Sequence, residues 1–189
     1  MAFEGVQFID IDTLRLTQIY LSQKKMDDVR AWFDESIVNF APVTVRDFLG
    51  DGALYLTDGH TRTFVAWQKG VRAIPAMYDE DEIVTCQLGQ IQYENDITWC
   101  ERFGLHHIAA LADRILLEAQ YEELWRGRCG HMYDLEVALL DNVIDKNGFA
   151  AQKTALEESG LFVYGISADF RVLQCEDGNG RLYRVDRQF

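Results

Sequence analysis

A chain of 189 residues with 48% hydrophobic residues carries enough apolar mass for one good core, or a core plus a small module, which argues against a disordered protein. Its 18 Lys and Arg against 31 Asp and Glu leave a formal charge of -13, a surface that repels phosphate backbones, so sequence-independent nucleic-acid binding is disfavoured. No apolar run approaches the roughly 20 residues that span a bilayer, and Met1-Ala2-Phe3-Glu4 lacks the basic flank and apolar stretch of a signal peptide, so no membrane contact is expected and the expected address is cytoplasmic.

Val6 to Ile11 alternates with period two and predicts a short strand. Ser22 is placed to cap a helix whose Met26, Val29 and Phe33 share one apolar face. Val43-Thr44-Val45 and Ala53-Leu54-Tyr55-Leu56, separated by the turn Gly50-Asp51-Gly52, predict a pair of strands. His60 to Lys69 reads as a helix with Phe64 and Trp67 on one side, and Gly70 sits at its left-handed C-terminal cap. Val71 to Tyr78 returns as a strand. Its Ile74-Pro75 bond restricts pairing, which predicts an edge position or a start near Pro75. The acidic run Asp79-Glu80-Asp81-Glu82 reads as a solvated turn leading negative charge into the next helix.

From Ile83 to Ser159 the pattern is mainly helical, with the pairs Trp99 and Phe103, Leu111 and Ile115, and Tyr121 and Trp125 at helical spacing, punctuated by Gly148 and Gly160. Three strands then follow, Leu161 to Tyr164, Arg171 to Cys175 and Arg181 to Val185, with Asp177-Gly178-Asn179-Gly180 as a hairpin turn. Cys86, Cys100, Cys129 and Cys175 are scattered without a paired-cysteine spacing, which fits reduced, packed thiols. His106, His107 and His131 have no third partner at a ligand spacing, so no metal is expected there.

The segment from Thr57 to Ala66 is the one site-like feature. A helix starting after Gly59 presents free N–H groups and the positive end of its dipole. Gly59 admits close approach of an oxygen, Thr61 and Thr63 add hydroxyl donors, and Arg62 adds a planar cationic fork. The same residues fit an architectural reading equally well, in which Asp58 caps the helix, Gly59 serves the turn, and His60 and Arg62 pair with surface carboxylates. If phosphoryl transfer took place here, Arg62 and the helix N-terminus would neutralise charge together with Mg²⁺. Asp58 would hold the metal or accept a proton, and His60 would orient a phosphate oxygen or act as acid/base. These two residues are the candidate catalytic groups.

Asp58-Gly59-His60-Thr61-Arg62, the helix ending at Gly70 and the following Ile74-Pro75-Ala76 resemble the signature region of the ParB/sulfiredoxin-like superfamily. Ile9 to Arg15 and Pro42 to Val45 stand where that family has its first two strands. The resemblance covers about residues 5 to 82 and implies a small mixed-sheet domain there; with the helical pattern at 83–159 and the β-meander at 160–189, the expected fold class is α+β. It implies that Gly59, His60, Thr61 and Arg62 contact the phosphates of a nucleotide. The thiol chemistry of sulfiredoxins is not available, because His60 stands where their cysteine would be. The single arginine and the acidic charge do not fit DNA clamping. Free-serine kinases of the superfamily carry a closely similar motif, but in the stretch where their acidic residue is expected this chain offers only Gln18.

Trp99-Cys100 and the run Tyr121 to Cys129 also resemble bacterial proteins that append helices to a ParB-like domain. Tyr121, Trp125 and Arg128 share a helical face; the aromatic pair is expected in the core, whereas Arg128 could close over a ligand held by the first module. The leading expectation is a nucleotide- or phosphometabolite-binding protein whose extension meets a protein partner or a second copy. The alternatives are a small-molecule phosphotransferase and a protein-interaction module with a vestigial site.

Overall fold

Alternation of buried and exposed residues builds the first sheet. The structure is a computed structural model that describes residues 5–34 and 41–189; Met1 to Glu4, read above for a leader, lie outside the described residues. The strands β1 (Gln7–Asp10), β3 (Val43–Arg46), β4 (Tyr55–Asp58) and β5 (Ala73–Tyr78) form a mixed sheet in the order β1-β5-β3-β4. Val43, Val45, Ile74 and Ala76 lie on one face and are fully buried, whereas Phe8 and Met77 on the other face stay exposed. Onto the buried side come α1 (Gln23–Trp32), capped by Ser22 as expected, with Met26 and Val29 inward, and α2 (His60–Gln68), with Phe64 and Val65 inward.

The strand containing Pro75 is not an edge. β5 lies inside the sheet, antiparallel to β1 and parallel to β3. Ile11 N–H donates to the Arg72 carbonyl, so in this register Phe8 and Pro75 form a non-hydrogen-bonded pair. The β3 ladder starts with Val43 opposite Ala76, so the missing N–H of Pro75 falls just before it and no ladder bond is lost.

The chain divides into two compact units, Met1–Tyr121 and Glu122–Phe189, and the helical stretch expected as one extension is shared between them. The expected boundary at residue 82 moves because later elements pair back onto early ones. After α3 (Glu82–Thr85) and α4 (Gln87–Arg102), the two-residue strand β6 (Ile115–Leu116) pairs in parallel with β2 (Leu21–Ser22). Ser22 Oγ donates to Glu118 Oε2 at 2.8 Å, and Gln18 Nε2 donates to the Tyr121 hydroxyl at 3.2 Å, which ties α5 (Glu118–Tyr121) to the same region. Leu111 and Ile115 are therefore not helical neighbours: one lies in the 3₁₀ segment Ile108–Asp113 and the other in β6. The acidic run is only partly solvated. Asp81 caps α3, but Asp79 is buried, accepting from the Thr57 hydroxyl and from Asp81 N–H.

In the second unit a π-helical stretch (Glu122–Arg126) leads into α6 (Gly127–Leu140), followed by α7 (Lys146–Glu158). The expected antiparallel meander follows as β7 (Leu161–Ile166), β8 (Val172–Asp177) and β9 (Leu182–Asp186). Its core joins Leu135 and Ala138 of α6 to Phe149, Ile166, Leu173 and Cys175. Gly148 does not break a helix but sits inside α7, where a Cβ would lie 2.3 Å from Phe189 Cβ; the missing side chain lets Phe189 pack edge-on against Phe149. Among the described residues no helix is long and apolar enough to cross a membrane.

Candidate functional site

β4 delivers the chain to α2 through Gly59, whose φ of 95° gives the turn its left-handed step. A Cβ there would meet Val43 Cγ1 at 2.4 Å, so the close approach of β3 requires glycine as well. Among the described residues no side chain caps the start of α2. Asp58, the cap in the architectural reading, instead accepts from Arg62 Nη2 at 2.8 Å, while Arg62 Nη1 donates to the Ala41 carbonyl at 3.1 Å. The Asp58 side chain is largely in water, so this pair adds little stability, but it orients the guanidinium over the helix start.

The residues from Asp58 to Arg62 line a cavity of about 330 Å³, completed by Gln18, Lys25, Asp28 and Val29. It therefore collects an uncapped helix N-terminus, a guanidinium and an ammonium, with two carboxylates that balance the cations. Asp28 is engaged by Lys24 Nζ at 2.7 Å. Lys25 also lies 5.4 Å from the centroid of the Tyr121 ring. Gln18 donates to the Tyr20 carbonyl as well as to Tyr121, which holds it at the cavity wall. Sequence reasoning missed Lys25 and Asp28. The packing of α1 against α2 brings them in, and no local motif announces that pairing.

His60 and Thr63 depart from their expected roles. Spaced three residues apart, they share the inner face of α2 with Phe64, and all three are buried. His60 lines the cavity, but its Nε2 accepts from the Thr17 N–H at 3.2 Å, which leaves the ring proton on Nδ1. Burial pushes its pKa down to about 4 against the opposing pull of Asp58. A ring that stays neutral, with its Nε2 lone pair occupied, does not serve as acid/base near neutral pH, which corrects that expectation. Thr63 Oγ1 is buried without a hydrogen-bond partner among the described residues and is absent from the cavity wall, so it is not the expected hydroxyl donor. Thr61 is on the wall.

The depressed pKa of His60 has a consequence for stability. The unfolded chain binds a proton at about pH 6.5 and the folded one does so only near 4, so stability is complete above that range and falls as the solution is acidified through it. Urea unfolding at pH 7 and pH 5 should show a loss on the order of 2 kcal/mol. A His60→Asn variant, already weaker at pH 7, should show a smaller loss; equal losses would remove His60 as the cause.

His107 and His131 have polar partners of their own. His107 Nδ1 accepts from Ala109 N–H and its Nε2 lies 2.9 Å from Asp12 Oδ1, while His131 Nδ1 meets the Ile166 carbonyl at 3.1 Å. Arg128, the candidate for closing over a ligand, is buried inside the second unit. It pairs with Glu176 at 2.8 Å and stacks 4.7 Å from the centroid of the Tyr164 ring.

No family model matches this sequence, and no curated protein matches it. Among solved structures, the protein Atu1540 from Agrobacterium tumefaciens is similar over 82% of this chain and 89% of its own, at 18% identity and a TM-score of 0.39. The C-terminally truncated chromosome-partitioning protein ParB from Caulobacter crescentus, complexed with CTP-gamma-S, aligns over 75% of this chain and 99% of its own, at 18% identity and a TM-score of 0.32. Both similarities are loose.

Proposed function

We propose that the cavity at the start of α2 binds a phosphate-bearing small molecule, with a nucleotide as the leading class. The observation that carries this reading is an uncapped helix N-terminus that opens, together with Arg62 and Lys25, onto one cavity. The amides of that first turn would meet the phosphate oxygens, Thr61 would add a hydroxyl, and the two cations would offset the charge. Two cations against the carboxylates of Asp28 and Asp58 leave the wall balanced, so a polyphosphate would enter most readily with Mg²⁺ bound to it. The resemblance of Asp58 to Arg62 to the phosphate-binding motif of the ParB/sulfiredoxin-like superfamily supports the same assignment.

Calorimetric titration with nucleoside mono-, di- and triphosphates, with and without Mg²⁺, tests the reading. Saturable binding is expected, and Arg62→Ala should weaken it by about 1.5–3 kcal/mol, because a charge-assisted bond to phosphate is lost. Undiminished affinity in that variant would place the ligand elsewhere. Analysis of the same mixtures for released or transferred phosphate reads out any phosphotransferase activity, whose base would have to come from Asp28 or Asp58.

A further inference from the structure

The sheet of the first unit ends on an unpaired edge. β1 stands first in the order β1-β5-β3-β4, so among the described residues only one of its sides meets a strand. Ile11 N–H donates to the Arg72 carbonyl, and the alternation set by that bond turns the main chain of Gln7 and Ile9 toward β5 and that of Phe8 and Asp10 away from it. The Asp10 carbonyl is taken by the Thr13 hydroxyl at 2.8 Å, which leaves the N–H and carbonyl of Phe8 and the N–H of Asp10 directed off the sheet. Beside this edge the side chains are apolar. Phe8 is 65% exposed and lies opposite Pro75, Met77 two positions further along β5 is 41% exposed, and Val6 is 52% exposed. Single apolar side chains are scattered over any surface, but a contiguous patch beside an open strand edge is what a further strand covers. Exposed acids stand at both ends of the patch: Asp10 and Asp12 where β1 ends, and Glu80, Asp81 and Glu82 where the chain leaves β5 beyond the start of β1. Arg72 and His107, the latter 2.9 Å from Asp12, are the cationic groups at the first of these ends.

We propose that this edge docks an extended peptide segment of another protein, apolar at alternate positions in its middle and carrying Lys or Arg at its ends. The segment pairs its main chain with Phe8 and Asp10 and becomes a fifth strand of the sheet, and its side chains opposite Phe8 fall on the patch with Val6 and Met77. Its cationic ends meet the acids at the two ends of the patch, and the net charge of -13 draws such a partner in from longer range. A second copy is the poorer occupant. Two-fold antiparallel pairing of β1 with its counterpart would set Glu80, Asp81 and Glu82 of one copy beside Asp10 and Asp12 of the other, and each copy would add its own net charge of -13 to the repulsion. None of these residues lines the cavity at α2, so this inference does not depend on the phosphate reading.

Titration of the full chain into the fluorescein-labelled, amidated peptide KKVTVTVKK, followed by anisotropy and by amide hydrogen exchange in NMR, tests it. Saturable binding is expected, with slowed exchange at the Phe8 and Asp10 N–H groups. Methylating the valine amides removes the donors that face Phe8 and should weaken binding about tenfold or more. Replacing every lysine of the peptide by glutamate should weaken it about tenfold or more as well, and added salt should weaken the parent peptide, because the charged ends lie in water. Phe8→Ser should lower affinity about fivefold or more, and since Phe8 lies on the open face of the sheet the variant should fold as the parent does. The proposal is overturned if the peptide does not bind saturably, if the methylated or glutamate peptide binds as well as the parent peptide, or if Phe8→Ser leaves affinity unchanged. It is also overturned if the chain sediments as a dimer that Phe8→Ser separates, since a second copy would then hold the face.

Discussion

Replacing Gly59 by alanine is expected to lower stability by about 2–4 kcal/mol, a fall in melting midpoint of about 5–15 °C for a chain of this size. Two costs add. The φ of 95° is a conformation that L side chains rarely adopt, and the new Cβ would lie 2.4 Å from Val43 Cγ1 and 2.9 Å from Val43 Cβ. Two further variants separate these terms. Gly59→Asn tolerates positive φ better but still carries a Cβ, so it should relieve only the backbone term. Val43→Ala combined with Gly59→Ala should be less destabilised than the sum of the single changes, because it removes the atom that clashes. Phosphate binding should fall with Gly59→Ala in parallel, since the start of α2 must shift to admit the methyl group. A midpoint within a degree of the parent would mean that Val43 does not press on Gly59 as described.

The second large effect lies in the other unit. Glu176→Ala should cost about 3–5 kcal/mol, because it leaves the guanidinium of Arg128, 4% exposed, without the carboxylate 2.8 Å away. A joint replacement by apolar residues, Arg128→Met with Glu176→Leu, should recover most of that loss, since neither buried charge then remains. The pair also decides what Arg128 is for. If it holds α6 to β8, Arg128→Ala lowers the unfolding midpoint and leaves the affinity for nucleotide unchanged. If it closes over a ligand, affinity collapses while the midpoint stays near that of the parent.

Much of the local structure was legible in the residues. Ser22 as a cap, Met26 and Val29 inward, Gly70 after α2, and the turn Asp177-Gly178-Asn179-Gly180 all follow from interactions between neighbours a few positions apart, and the structure shows each, with Gly180 at positive φ and the Asp177 carboxylate accepting from Asn179 and Arg181 N–H. The α+β class and the terminal meander were legible for the same reason. The failures share an opposite cause. Pro75 argued for an edge strand or a start near it; β5 does start close by, at Ala73, but lies inside the sheet because the register leaves that N–H position unused, and register is a property of partner strands. Leu111 and Ile115 matched a helical period over too short a stretch, and the pairing of β6 with β2 overrode it.

The candidate site divides along the same line. By itself the sequence determined the anion-binding possibility at Gly59, Thr61 and Arg62, because a glycine-led helix start and a guanidinium one turn in are consequences of local chain geometry. Only the tertiary structure decided that Lys25 and Asp28 share the cavity, that His60 faces Thr17 as a neutral ring, and that Thr63 is buried rather than presented to a ligand. A helix start defines where its own amides point, but burial and charge at that point depend on what packs against it, and those neighbours come from distant parts of the chain.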